Sequence, residues 1–333
     1  MDIQKWKAEQ FGVKKKKAMP VLSFPSVSLL NISVKDLISS PDLQSKGMKA
    51  IADRCPSSAS VSMMDLSVEA EAFGSTVKFS DDEVPTVVGR IIETEEDVDR
   101  LIVPKPGAGR TGLYIEAIKK ACKLITDRPV FAGVIGPFSL AGRLMDFSEI
   151  MPNCYCEPDM VHKTLEKASD FLIAYLKEYK KTGASGYVMA EPAAGLLSPA
   201  IAAEFSSAYV DKIAKAVRDD NFIFIYHNCG ESVPFILESL LSFKADAYHF
   251  GDKINIEEIL KKMPKDVPTF GNLSPSAVFL NGSAETVRKE TSAMLEKCAK
   301  YPNYVPSSGC DIPPLTKWEN IDEFFNAVTE FYK

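Results

Sequence analysis

The 333-residue sequence contains no apolar run long enough to span a bilayer, so no helical membrane segment is expected. Its first residues, Met1-Asp2-Ile3-Gln4-Lys5, lack the apolar core of a secretion signal, and a cytoplasmic location is expected from that. No disulfide framework can be read in the cysteines. There are seven, an odd number at irregular spacing, which fits metal ligands plus inert core thiols in a reducing compartment. There is no internal repeat, no low-complexity linker and no glycine-rich phosphate loop after the first apolar run. Pro25-Ser26-Val27-Ser28 stands there instead, which speaks against a doubly wound nucleotide-binding sheet. Basic residues are not in excess. The formal net charge is −6, which argues against nucleic acid as a partner.

Hydrophobic residues make up 46% and charged residues 25%, the balance of a globular chain with a large core. Residues 2–17 read as a charged N-terminal helix, whose Lys14–Lys17 run is a solvated helix end or, less simply, a contact for an acidic partner. Short apolar strands are expected at Ala18–Phe24, Ser60–Asp65, Val130–Ile135, Gly186–Ala190, Phe222–Tyr226, Asp246–Phe250, Thr269–Gly271 and Tyr304–Ser307. Helical periodicity separates most of them, and Thr94-Glu95-Glu96-Asp97 has the form of a capping box. The longest interval holds a hairpin over Val68–Phe79 and Thr86–Ile92. Eight strands alternating with helices predict an α/β fold, a (β/α)8 TIM barrel in a single domain spanning 1–333, with an N-terminal helical extension.

In such barrels the chemistry gathers at the C-terminal ends of the strands. Asp65, Gly136, Glu191, His227, Cys229, His249, Asp252, Asn272 and Cys310 all fall there. In Tyr226-His227-Asn228-Cys229-Gly230, two donors stand two residues apart at a strand end and can point to one spot. Gly309-Cys310 ends another strand and supplies a third donor. One imidazole and two thiolates suit zinc and leave a fourth position open, the catalytic arrangement. The plainer reading makes both cysteines small buried apolar residues and His227 a satisfied core histidine. Cys154 and Cys156, with His162 on the next helix, are a weaker metal set because their stretch reads as a loop between Pro152 and Pro158. Glu191 is open to three readings: a resting fourth ligand, an acceptor for the histidine N–H, or a structural residue at a helix start.

His227-x-Cys229 followed by Gly309-Cys310 resembles the zinc signature of the methylcobamide:thiol methyltransferases, within the uroporphyrinogen decarboxylase superfamily. Further blocks are similar: Asp65 to Gly74, Gly136-Pro137-Phe138-Ser139, Glu191-Pro192-Ala193-Ala194, Gly271-Asn272-Leu273-Ser274-Pro275 and Gly309 to Pro314. Glu191 departs from the aspartate usual in its block. The resemblance implies a barrel with one zinc per chain that activates a small thiol such as coenzyme M. The methyl donor would be a methylated corrinoid, carried by a separate corrinoid protein. It implies His227, Cys229 and Cys310 as metal ligands, Glu191 and Asp65 as catalytic residues, and Asn272, His249 and Gly136 as substrate-binding residues. Two rival functions stand beside it. One is cofactor-free decarboxylation, against which Pro20–Ile32 contains no arginine to hold substrate carboxylates. The other is a non-catalytic zinc-binding subunit of a methyl-transfer complex. Nothing in the sequence specifies an oligomeric state.

Overall fold

In chain order the strands are β1 (Ser60–Val61), β2 (Thr76–Lys78), β3 (Thr86–Val88), β4 (Val130–Ile135), β5 (Gly186–Ala190), β6 (Ile223–Asn228), β7 (Ala247–Phe250), β8 (Thr269–Leu273) and β9 (Tyr304–Ser308). They come from a computed structural model that describes residues 2–333. β2 and β3 form a separate antiparallel hairpin. The other seven make one parallel sheet in the order β1-β4-β5-β6-β7-β8-β9. Parallel neighbours need a crossover, and helices supply it. Pro158–Lys181 runs between β4 and β5, Val233–Ser242 between β6 and β7, and Ala284–Cys298 between β8 and β9. Covered on both faces, β4, β5, β6, β7 and β9 are buried at every position.

The sheet curls around an inner core. Val61, Phe131, Val188, Ile225, Ala247, Phe270 and Val305, one from each strand of the sheet, belong to a single buried cluster. Met19 and Val21 join it, as do Ile3 and Trp6 from the N-terminal helix Ile3–Glu9. The Trp6 indole N–H donates to the Ser58 carbonyl at 2.8 Å, just before β1, so this helix plugs the end opposite the strand C-termini. The outer core, between strands and helices, is a second and larger cluster.

The expected eight-strand closure is corrected to seven strands. Residues 18–24 are not a strand, although they lie between the two edges of the sheet. The Met19 N–H donates to the Pro306 carbonyl at 3.0 Å, and the Ser58 N–H donates to the Ala18 carbonyl at 2.9 Å. Pro306 carries no N–H to return to this segment and Pro20 none to offer on the β1 side, so a continuous ladder forms on neither side. Side chains stitch the gap instead: the Val21 N–H donates to the Ser308 hydroxyl at 3.0 Å.

Other expectations shift in detail. β1 is only two residues long, so Asp65 lies beyond it. The first arm of the expected hairpin begins as the helix Val68–Ala72. The capping box is present, with the Thr94 hydroxyl and the Asp97 carboxylate bonded reciprocally at the start of Glu95–Arg100. The N-terminal helix stops at Glu9, and the lysine run lies outside it. Lys16 is buried, with its ammonium donating to the Pro302 carbonyl at 2.7 Å and also to that of Tyr304. Cys154 and Cys156 lie in the helix Phe147–Cys156 rather than a loop. Ile150 and Cys154, one turn apart, are buried there and offset the hydrogen bond that Pro152 cannot donate.

Candidate metal centre

Strand alternation builds the site. Along β6, Ile223 and Ile225 face the inner core while Phe224 and Tyr226 face the helices, so His227 points inward. His227 is in register with His249 on β7. On β9, Val305 faces inward and Ser307 lies two residues on, on the same side. A polar layer of His227, His249 and Ser307 therefore sits directly above the apolar inner core.

Cys229 follows β6 and Cys310 follows β9. The donor atoms of His227, Cys229 and Cys310 lie within 4.8 Å of one another. Cys310 Sγ is 3.5 Å from His227 Nε2. Tetrahedral zinc with ordinary Zn–N and Zn–S bonds spaces its donors about 3.6 Å apart, so the set fits such an ion. The imidazole is buried, while both cysteines are partly exposed towards the mouth. Gly251 makes room for this arrangement. A Cβ there would lie 2.5 Å from both Cα and Cβ of Cys229.

The two sulfurs differ electrostatically. The Cys310 thiol beside it holds the Cys229 thiol well below the usual range. The neighbouring Cys229 sulfur and burial push Cys310 the other way. One thiolate therefore sits against one thiol, a pair ready to exchange its remaining proton for a cation. The buried thiols elsewhere are raised by desolvation, to about 12 for Cys55, Cys154 and Cys298, and the half-buried Cys122 to about 11. Among the described residues, His227, Cys229 and Cys310 are the one group of three or more donors close enough to share an ion. His162 is occupied elsewhere, by Tyr209 at 2.8 Å and Glu204 at 3.2 Å.

Glu191 is fully buried beside this centre, and its own N–H donates to the His227 carbonyl at 2.9 Å. Its carboxylate accepts from the Phe138 N–H at 2.7 Å, the Ser139 N–H at 3.1 Å and the Ser206 hydroxyl at 3.1 Å. It thus caps the helix Pro137–Met145 and fastens the segment after β5. The His227 ring nitrogen Nδ1 meets His249, not Glu191. Gly136 leaves the space that the carboxylate fills, since a Cβ there would lie 1.9 Å from Glu191 Oε2. Gly136→Ala should therefore destabilise the protein by about 2–4 kcal/mol, as the displaced carboxylate leaves two buried amides unpaired. Urea unfolding measures this, and an unchanged midpoint would show that the capping bonds contribute nothing.

Asp65 is buried and fully engaged. It accepts from Tyr114 Oη at 2.8 Å and from the Ser67 hydroxyl at 2.6 Å, and it pairs with Arg110. Arg110 also reaches Glu71 at 2.6 Å. The Asn272 side-chain amide donates to the carbonyls of Gly251 at 2.9 Å and Ile254 at 3.0 Å, which holds the loop after β7 against the site. Both ring nitrogens of His249 are used within the protein, by His227 and Ser307. Ser307, Ser206, Arg110 and Tyr114 were not singled out from sequence. For Ser307 a signal existed, because it stands two residues past an inward-facing valine on a strand that ends in a candidate ligand.

Known proteins share this architecture. The sequence profile described as Uroporphyrinogen decarboxylase (URO-D) matches residues 18–331. A uroporphyrinogen decarboxylase from Hydrogenovibrio crunogenus is 26% identical over 314 residues, covering 90% of this chain and 86% of that protein. The methylcobamide:CoM methyltransferase MtbA of Methanosarcina acetivorans is 26% identical over 281 residues, covering 80% and 78% respectively. Among solved structures, a methyltransferase from Methanosarcina mazei superposes with a TM-score of 0.87 at 24% identity, over 98% of this chain and 97% of that one. The likeness in fold is close. The similar sequences carry two different activities in their names. With the profile matched over nearly the whole chain, the curled parallel sheet and the resemblance of its motifs lead to one conclusion: the protein belongs to the uroporphyrinogen decarboxylase family.

Proposed function

We propose that the protein is a zinc-dependent methyltransferase that moves a methyl group from a methylated corrinoid, held by a corrinoid protein, to a small thiol such as coenzyme M. The observation that carries this is the convergence of His227, Cys229 and Cys310 at the strand C-termini. One zinc per chain, when bound there, supplies a Lewis acid that lowers the pKa of an incoming thiol. Cys229 and Cys310 would bind as thiolates and His227 as a neutral imidazole, which balances the charge of the ion before any thiol arrives. In the transfer, a sulfur–carbon bond forms and the cobalt–carbon bond breaks. The electron pair of that bond stays on the reduced cobalt, and the thiol gives up its proton.

The rest of the mouth serves this centre by position. Glu191 ties the segment after β5 to the helix after β4. Asn272 ties down the loop whose Gly251 abuts Cys229.

A cofactor-free decarboxylase is the second reading, favoured by the names of several relatives. Against it, the Asp65 carboxylate is already committed to Arg110, Tyr114 and Ser67. Metal content separates the two readings, because the decarboxylase needs none. Turnover separates a catalyst from a non-catalytic zinc subunit. Zinc-loaded protein mixed with methylcobalamin and a panel of thiols should change the corrinoid spectrum as reduced cobalt forms. An unchanged spectrum with every thiol, and also with a methylated corrinoid protein as donor, would rule the transferase out.

A further inference from the structure

The chain has three histidines, and two of them touch. We infer that Ser307 and His249 form a proton-ordering chain, anchored on the Met19 carbonyl, that presents the bare Nε2 of His227 to the sulfurs of Cys229 and Cys310. Its purpose, though not its proton pattern, rests on the metal reading above.

Two carbonyl oxygens decide where the protons are. A carbonyl can only accept. Ser307 Oγ lies 2.7 Å from the Met19 carbonyl and must spend its single hydrogen there. The same Oγ is 2.8 Å from His249 Nε2, so it accepts, and Nε2 carries a proton. At the other end, His227 Nδ1 is 2.7 Å from His249 Nδ1 and 3.3 Å from the His249 carbonyl. The contact with the carbonyl is favourable only if His227 Nδ1 carries the hydrogen. It then donates to the bare Nδ1 of His249. A neutral His227 protonated at Nδ1 has its lone pair on Nε2, the atom 3.5 Å from Cys310 Sγ.

Burial keeps these groups from water. His249 and Ser307 are fully buried and His227 nearly so. The anchor is also fixed, because the Met19 N–H is bonded to the Pro306 carbonyl on β9 at 3.0 Å. The segment that bridges the sheet edges therefore also sets the direction of the hydrogen bonds from Ser307 through His249 to His227. Outer partners of this kind orient a ligand imidazole and are worth about 10–100-fold in metal affinity.

The test uses zinc-loaded protein labelled with 15N at histidine. With three histidines the spectrum is sparse, and His249→Gln identifies its own signals. The expected pattern is a proton on Nδ1 of His227 and on Nε2 of His249, with Nδ1 of His249 bare. A proton on Nδ1 of His249 would overturn the inference. Zinc affinity, read by chelator competition, is the second measurement. His249→Phe fills the same space without hydrogen bonding and should weaken zinc about 10–100-fold, as should Ser307→Ala. His249→Gln keeps an acceptor for His227 and a donor for Ser307, and should stay within about threefold of wild type. Equal affinity in His249→Phe and wild type would show that the ring merely fills space, and a loss in His249→Gln as large as in His249→Phe would overturn the role given to its hydrogen bonds. Wild-type protein that takes up no zinc would remove the function proposed above. The histidine signals of that same sample would still support or overturn the proton pattern.

Discussion

Cys310→Ala should weaken zinc binding by on the order of a hundredfold to a thousandfold, and methyl transfer should disappear with the metal. The expectation follows from the donor count. His227, Cys229 and Cys310 are the donors brought together, and two of three hold an ion poorly. Cys310 retains its proton because it sits beside the Cys229 sulfur in a desolvated site. Zinc uptake must displace that proton, so affinity should rise about tenfold for each pH unit until the thiol ionises unaided. Cys298→Ala is the matched control. Its thiol is buried and raised to about 12, and among the described residues it belongs to no group of three donors close enough to share an ion. Metal content after dialysis against a chelator measures both variants. A Cys310→Ala protein that keeps full occupancy would remove this residue from the centre.

Glu69→Gln should stabilise the protein at alkaline pH by several kcal/mol while changing little at pH 4. Glu69 is buried, with one carboxyl oxygen accepting from the Ile135 N–H at 3.2 Å and the other unpartnered. Burial raises its pKa from 4.5 to about 8, and the nearby Asp65 charge adds to that while Arg110 opposes it. Between those values the folded chain holds a proton that the unfolded chain has released. Stability is therefore fully present below about pH 4.5 and is lost as pH rises through about 8. At about 1.4 kcal/mol for each unit of separation, the full loss is on the order of 5 kcal/mol. Glutamine keeps the acceptor and never ionises, so the variant escapes this loss. Urea unfolding of both proteins from pH 5 to 9 reads the difference. Parallel stability curves would mean that Glu69 is solvated or already paired.

Much of this molecule is written along the chain. Val130–Ile135 and Gly186–Ala190 are expected and found with the same limits, because a continuous apolar run has one way to be buried. The three converging donors are legible too, since each stands at the end of such a run and strand alternation fixes the direction of His227.

What the chain could not announce is pairing at a distance. Residues 18–24 look like a strand, yet Pro306 lacks an amide donor towards them and Pro20 lacks one towards β1, and that conflict exists only once the segments meet. Glu191 had several plausible partners. Gly136, more than fifty positions earlier, opens the space that settles its carboxylate on Phe138 and Ser139. His249 reads as a mouth residue available to substrate. Register with β6 on one side and Ser307 across the sheet on the other take up both of its nitrogens. The sequence by itself determined the residue types, their strand-end positions and the apolar layers beneath them, because those depend on local period and burial. Tertiary structure alone decided which polar atom meets which, because a hydrogen bond depends on tenths of an ångström between segments that are remote along the chain.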